Sequence, residues 1–189
     1  VVIFSESHSC PVNVMLAELA LGQMGVAFEQ VRVDTKPAQS RPIIRSTGAT
    51  NAMTGESAAI DTLKASDLII DLSIEGMMHA AETPSLLASG ARIMTISNEH
   101  PDILARLTPD PAIKDSVKDA VARCRAASTM HVTSPAGTDL TVQMADTVTV
   151  GVWGWTDRPG TLAHWPGGLV VSFPKAATTN GRIVFAPGD

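Results

Sequence analysis

The chain is short of cysteine, of clustered positive charge and of long apolar runs, and each shortage removes a class of protein. Cys10 and Cys124 are its only cysteines and lie far apart, with no Cys-x-x-Cys or secretory pattern around them. That excludes a disulfide framework and fits two free thiols in a reducing cytoplasm. No apolar run approaches the about 18–20 residues needed to cross a bilayer, and no signal-peptide pattern is visible. Lys and Arg are scattered singly in a chain of net charge −5 and pI near 5.5, so neither nucleic acid nor an anionic membrane surface is an expected partner. No G-x-G-x-x-G follows any strand-like segment and there is no P-loop, which disfavours the usual dinucleotide and nucleotide sites. A serine nucleophile lacks its G-x-S-x-G elbow. A zinc peptidase lacks its HExxH.

What is present is enough for a packed core. The 189 residues are 44% hydrophobic and 17% charged, too apolar for disorder. The first two thirds alternate strand-like and helix-like segments. Val1–Phe4, Val26–Val33, Asp67–Asp71 and Ala91–Ile96 read as strands, the last two as runs of the kind buried in a parallel sheet. Helices are expected over Pro11–Met24, ended by Gly25, and from a Thr54 cap through Ala65, with Ala58, Ala59, Ile60 and Leu63 as its apolar face. Ser46–Gly55 reads as a polar loop. Thr83-Pro84 starts a short helix by side-chain cap and preset φ. Asn98 and Asp110-Pro111 open two more, to about Leu107 and Ala127.

This rhythm implies an α/β fold: a mostly parallel, helix-covered, Rossmann-like sheet. After Ala127 the texture turns β-rich, with runs at Thr129–Thr133, Leu140–Met144, Val148–Trp153, Leu169–Phe173 and Ile183–Phe185. The expected organisation is an α/β sheet domain over 1–128 and a β-rich extension of the same domain over 129–189.

Five histidines are the main candidates for chemistry. His131 alternates with apolar neighbours and reads as structural. His100 precedes Pro101 in a solvated first helical turn. His8, after the first strand, and His79, after the strand ending at Asp71, would both stand at the C-terminal edge of the sheet, where open α/β sheets bind ligands. Met77 and Met78 suggest an adaptable apolar wall beside His79, which could act as a general base. His164 lies in the Gly154–Asp189 block beside Trp165 and the Pro166-Gly167-Gly168 turn, an arrangement suited to a flat, polar ligand. Trp153 and Trp165 are candidate ring-packing residues. A ferrous site of two histidines and a carboxylate is not imposed by any spacing among His8, His79 and His164.

Met77-Met78-His79-Ala80-Ala81-Glu82, Gly137-Thr138-Asp139-Leu140, the block from Gly154-Trp155-Thr156-Asp157-Arg158-Pro159-Gly160 through His164-Trp165-Pro166, and Asn180–Val184 together resemble the 2,5-dihydroxypyridine 5,6-dioxygenases. That family belongs to a wider set related to the aminopeptidase T metallopeptidases. The resemblance covers most of the chain and is strongest from Ala127 onward. It implies the N-terminal part of an enzyme that opens a dihydroxypyridine ring with O2 at a mononuclear non-haem Fe(II), in nicotinate and nicotine degradation. It places the iron ligands in a C-terminal domain beyond Asp189, so that no metal is expected on these residues, and it carries over His79 as the base and His164 as a contact to the substrate ring. A cytoplasmic homo-oligomer is expected for the full-length form. The family can carry a glutamate where this chain has Val152, which bears on the substrate. Two other readings stay open: the N-terminal domain of an aminopeptidase T-like metallopeptidase, and a non-catalytic assembly domain.

Overall fold

The computed structural model describes residues 1–37 and 48–186. Ser46 and Thr47 of the expected polar loop, and residues 187–189, lie outside the described residues. The chain forms two compact units, one of Val1–Pro109 with Gly154–Gly167 and the other of Asp110–Trp153 with Gly168–Asp189.

The first unit is a parallel sheet. Its strands are β1 (Val2–Glu6), β2 (Glu29–Val33), β3 (Leu68–Asp71), β4 (Arg92–Thr95) and β8 (Leu162–His164), in the order β2-β1-β3-β4-β8. Every neighbouring pair is parallel. The apolar strands are buried on both faces, as a helix-covered parallel sheet requires. On one face Val2, Phe4, Ile69 and Ile93 pack with Leu63 of α2 (Ser57–Lys64) and Leu86 of α3 (Thr83–Ala88). On the other, Ile3 and Leu72 meet Leu21, Val14 and Ala17 of α1 (Pro11–Gln23). Complete burial of side chains such as Phe4, Ile3, Ile69 and Ile93 contributes about 1.5–3 kcal/mol each.

The expected mostly parallel α/β sheet is present, but several helix starts differ. α2 begins at Ser57 and not at a Thr54 cap. A turn from Asn51 to Thr54 intervenes, followed by Gly55 at φ +82°. The Thr83 hydroxyl does not cap α3. It donates to the Met77 carbonyl, and the Glu82 carbonyl accepts from Ser85 and Leu86 instead. α4 (Pro101–Arg106) starts three residues after Asn98, with His100 as its cap: His100 Nδ1 accepts from the Asp102 amide at 3.2 Å. Asn98 Oδ1 accepts from the Cys10 amide at 3.2 Å.

The second unit holds α5 (Ile113–Ala126), a three-stranded antiparallel sheet and a two-stranded one. Its strands are β5 (Thr129–Thr133), β6 (Asp139–Gln143), β7 (Val148–Val152), β9 (Leu169–Phe173) and β10 (Thr179–Arg182). β6 lies between β10 and β5, and β7 pairs with β9. The expected Ile183–Phe185 strand is replaced by β10 just upstream, and Ile183 and Phe185 are exposed. Val117 of α5 is buried. α5 approaches β7 closely enough that a Cβ on Gly151 would lie 2.5 Å from Val117 Cγ1.

Candidate active site

Parallel strands bring their C-terminal ends to one edge, and the candidate histidines of the first unit gather there. His8 follows β1, His79 is on the loop after β3, and His164 ends β8. The strand order reverses between β1 and β3, because β2 lies on the far side of β1. That switch point is where such sheets open a ligand crevice. β4 separates β3 from β8, so the ends of those two strands are about 10 Å apart at the usual strand spacing.

His79 is exposed, and its backbone is held. Its amide donates to the Gly48 carbonyl, while the Gly48 amide donates to Glu75 O at 2.7 Å. Gly48 backs the imidazole closely: a Cβ there would lie 3.1 Å from His79 Cδ2. Behind this loop, Gly76 takes φ +77° and a Cβ on it would lie 2.5 Å from Ser97 Oγ. Only glycine satisfies both the conformation and the contact.

His164 is half-buried and pairs with Thr95 in the β4–β8 register. Desolvation lowers its pKa from the ordinary 6.5, partly offset by a backbone hydrogen bond to Pro166 and by the charge of Glu99. A neutral imidazole has one N–H, and its second nitrogen is then left as an acceptor. Trp165 is fixed beside it, its amide donating to Thr95 O at 2.9 Å and its indole Nε1–H to Leu107 O at 2.9 Å.

Two buried carboxylates lie beneath the same edge, a feature missed in the sequence because Ser5-Glu6 and Ile70-Asp71 look like ordinary strand ends. Glu6 is 4% exposed and Asp71 is fully buried. Desolvation raises the Asp71 pKa, opposed by hydrogen bonds from Ser73 and Met77. Period-two alternation tells which face a residue takes, but carries no sign of a polar partner remote in the chain.

The remaining candidates lie elsewhere or serve local structure. The His8 amide donates to Thr35 Oγ1 at 3.1 Å, and its side chain is exposed. His131 is not a buried strand histidine. It stands on an exposed sheet face with Nε2 2.8 Å from Asp139 Oδ1. Trp153 belongs to the second unit, where the Lys114 ammonium sits 5.1 Å from its ring centroid.

His100-Pro101-Asp102 has the His-x-Asp spacing of some iron sites, but both side chains are exposed and serve the start of α4. Among the described residues no three of His, Cys, Asp and Glu come together as a metal site. Both Asp71 oxygens and one of Glu6 are already occupied by protein donors. The described residues therefore do not fit the Fe(II) that the resemblance implies for the whole enzyme. No described helix is long and apolar enough to cross a membrane.

The fold defines an open α/β sheet domain with histidines at the C-terminal edge of its strands. A family profile for 2,5-dihydroxypyridine 5,6-dioxygenase matches residues 1–189, and the chain belongs to that family. The 2,5-dihydroxypyridine 5,6-dioxygenase of Pseudomonas putida is 33% identical over 138 residues, covering 73% of this chain and 39% of that protein. A solved structure of 2,5-dihydroxypyridine dioxygenase from the same species matches with a TM-score of 0.79 and 27% identity, over 95% of this chain and 52% of that one. The chain thus spans less than two thirds of either relative's length.

Proposed function

We infer that this chain is the substrate-handling part of a ring-cleaving dioxygenase acting on a dihydroxypyridine-type ring with O2, in nicotinate or nicotine breakdown. The observation that carries the reading is the placing of His79 and His164 on one edge of the parallel sheet in a chain matched along its whole length by this family. His79 is solvent-accessible and would take a proton from a ring hydroxyl, which makes the ring electron-rich and readier for oxidation. His164, as a neutral imidazole, accepts a hydrogen bond from a substrate hydroxyl at its unprotonated ring nitrogen and orients the ring. Trp165, pinned to Leu107, offers an indole wall that need not be ordered when substrate binds. Fe(II) would supply the oxygen chemistry from ligands other than the described residues.

The test is turnover of 2,5-dihydroxypyridine by the full-length, iron-loaded protein, followed by substrate absorbance and O2 uptake. His79→Ala is expected to reduce kcat about 10²–10⁴-fold, the usual range for a lost general base. Full-rate turnover by that variant would remove His79 from the mechanism.

A further inference from the structure

The geometry points to Glu6 and Asp71 as positioning residues, a pair of buried carboxylates that clamp the β3–α3 loop and so fix His79. The inference rests on the reading of His79 as the base, and extends it to residues that never touch substrate.

Each carboxylate ends a central strand, on either side of the switch point. Glu6 Oε1 accepts from the Ile74 amide at 3.0 Å and from Thr50 Oγ1 at 3.1 Å. Thr50 then carries the constraint outward, since its amide donates to Gly76 O at 2.8 Å. Two residues earlier, Gly48 receives the His79 amide and donates to Glu75. Asp71 holds the same loop from within. Its Oδ1 accepts from the Ser73 amide at 3.0 Å and from Ser73 Oγ at 2.5 Å, and its Oδ2 accepts from the Met77 amide at 2.8 Å. The Asp71 carbonyl takes the amides of Ile96 and Ser97, at 2.9 and 3.0 Å, and so ties the loop after β4 to the same point.

Residues 73, 74 and 77 are therefore fixed by side-chain oxygens, and 75, 76 and 79 by the 48–50 segment that Glu6 anchors through Thr50. A loop needing only a stable bend would not require two carboxylates withdrawn from water, which are costly unless their acceptors are filled. Here the filled acceptors select one backbone path, and His79 stands at its end. Glutamine at position 6 keeps an Oε1 with two lone pairs and can take both donors. Asparagine at position 71 cannot: it replaces one acceptor by an amide group that faces a donor.

The test uses the full-length protein and two readouts. Hydrogen exchange reports the His79, Thr50 and Gly48 amides, with Ile69 and Ile93 as core controls. Steady-state turnover separates kcat from KM. Glu6→Ala and Thr50→Val are each expected to speed exchange at the three loop amides at least tenfold, leave the core amides unchanged, and lower kcat about tenfold at near-constant KM. Glu6→Gln is expected to restore both. Asp71→Asn is expected to behave like Glu6→Ala, and the two position-6 variants with Thr50→Val decide the matter if it does not fold. Unchanged loop exchange in a folded Glu6→Ala protein overturns the clamp itself. Failure of Glu6→Gln to restore exchange overturns the acceptor explanation. Faster loop exchange combined with full turnover by His79→Ala instead overturns the base assignment, and with it the catalytic meaning of the clamp.

Discussion

At the scale of single residues, His164 and Asp71 occupy the same sheet edge and respond to pH with opposite sign. Burial lowers the His164 pKa below 6.5, so the folded protein binds its proton less readily than the unfolded chain does. Stability from this group is present above pH 6.5 and is lost as pH falls through the folded value. Asp71 is raised above 3.8 by burial, so its contribution is present below that value and is lost as pH rises through the folded one. The stability advantage of the wild type over His164→Asn should therefore shrink on going from about pH 7.5 to about pH 5.5. Thermal melts of both proteins at the two pH values check this, and a constant difference would rule the burial effect out. Under the proposed role, turnover should decline only as pH falls through the lowered folded value of His164, because a protonated imidazole can no longer accept from a substrate hydroxyl.

At the scale of elements, close approach decides more than propensity. Gly151 of β7 is where α5 comes down on the two-stranded sheet. A Cβ there would meet Val117 Cγ1 at 2.5 Å and Val121 Cγ2 at 2.9 Å. Gly151→Ala should cost about 1–3 kcal/mol by overpacking, read from denaturant unfolding. Adding Val117→Ala should recover part of that loss, because the two sites share the contact.

Such contacts also mark the limit of what the sequence discloses. β3 and β4 are legible as apolar runs bounded by polar residues, and α1 and α5 as long segments with recognisable starts. β8 is not, since Leu162-Ala163-His164 is too short for any period and becomes a strand through its parallel pairing with β4, flanked by Ile93 N–H to Thr161 O and Trp165 N–H to Thr95 O. β10 shows only in the Asn180–Val184 strand of the resemblance, because Thr179-Asn180-Gly181-Arg182 has turn composition and its pairing comes from β6. His79 and His164 stood out as candidates, whereas Glu6 and Asp71 did not, because the partners of Glu6 are brought to it only by the sheet and those of Asp71 only by the folding back of the loop after β3.

At the scale of the whole molecule, the parallel sheet is closed by a strand that returns after a long excursion. β4 ends at Thr95 and β8 begins at Leu162, and the intervening chain builds α4, α5 and β5–β7. Residues 1–109 alone would lack β8 and leave an open edge along Arg92–Thr95, with the buried Ile93 at its centre and Leu162 missing from the core. An unpaired apolar edge of this kind invites association between chains. The two ends of the excursion are adjacent: a Cβ on Gly154 would lie 2.8 Å from Pro109 Cγ. Residues 110–153 can therefore be replaced by a linker of about two glycines, a span such a linker covers at about 3.5 Å per residue. The joined protein, 1–109 with 154–167, should be soluble and unfold cooperatively, while 1–109 alone should aggregate or lack a cooperative transition. Circular dichroism melts and light scattering on the two proteins distinguish these outcomes. Equal behaviour would show that β8 is dispensable, and that His164 is not held by the sheet on which the substrate reading depends.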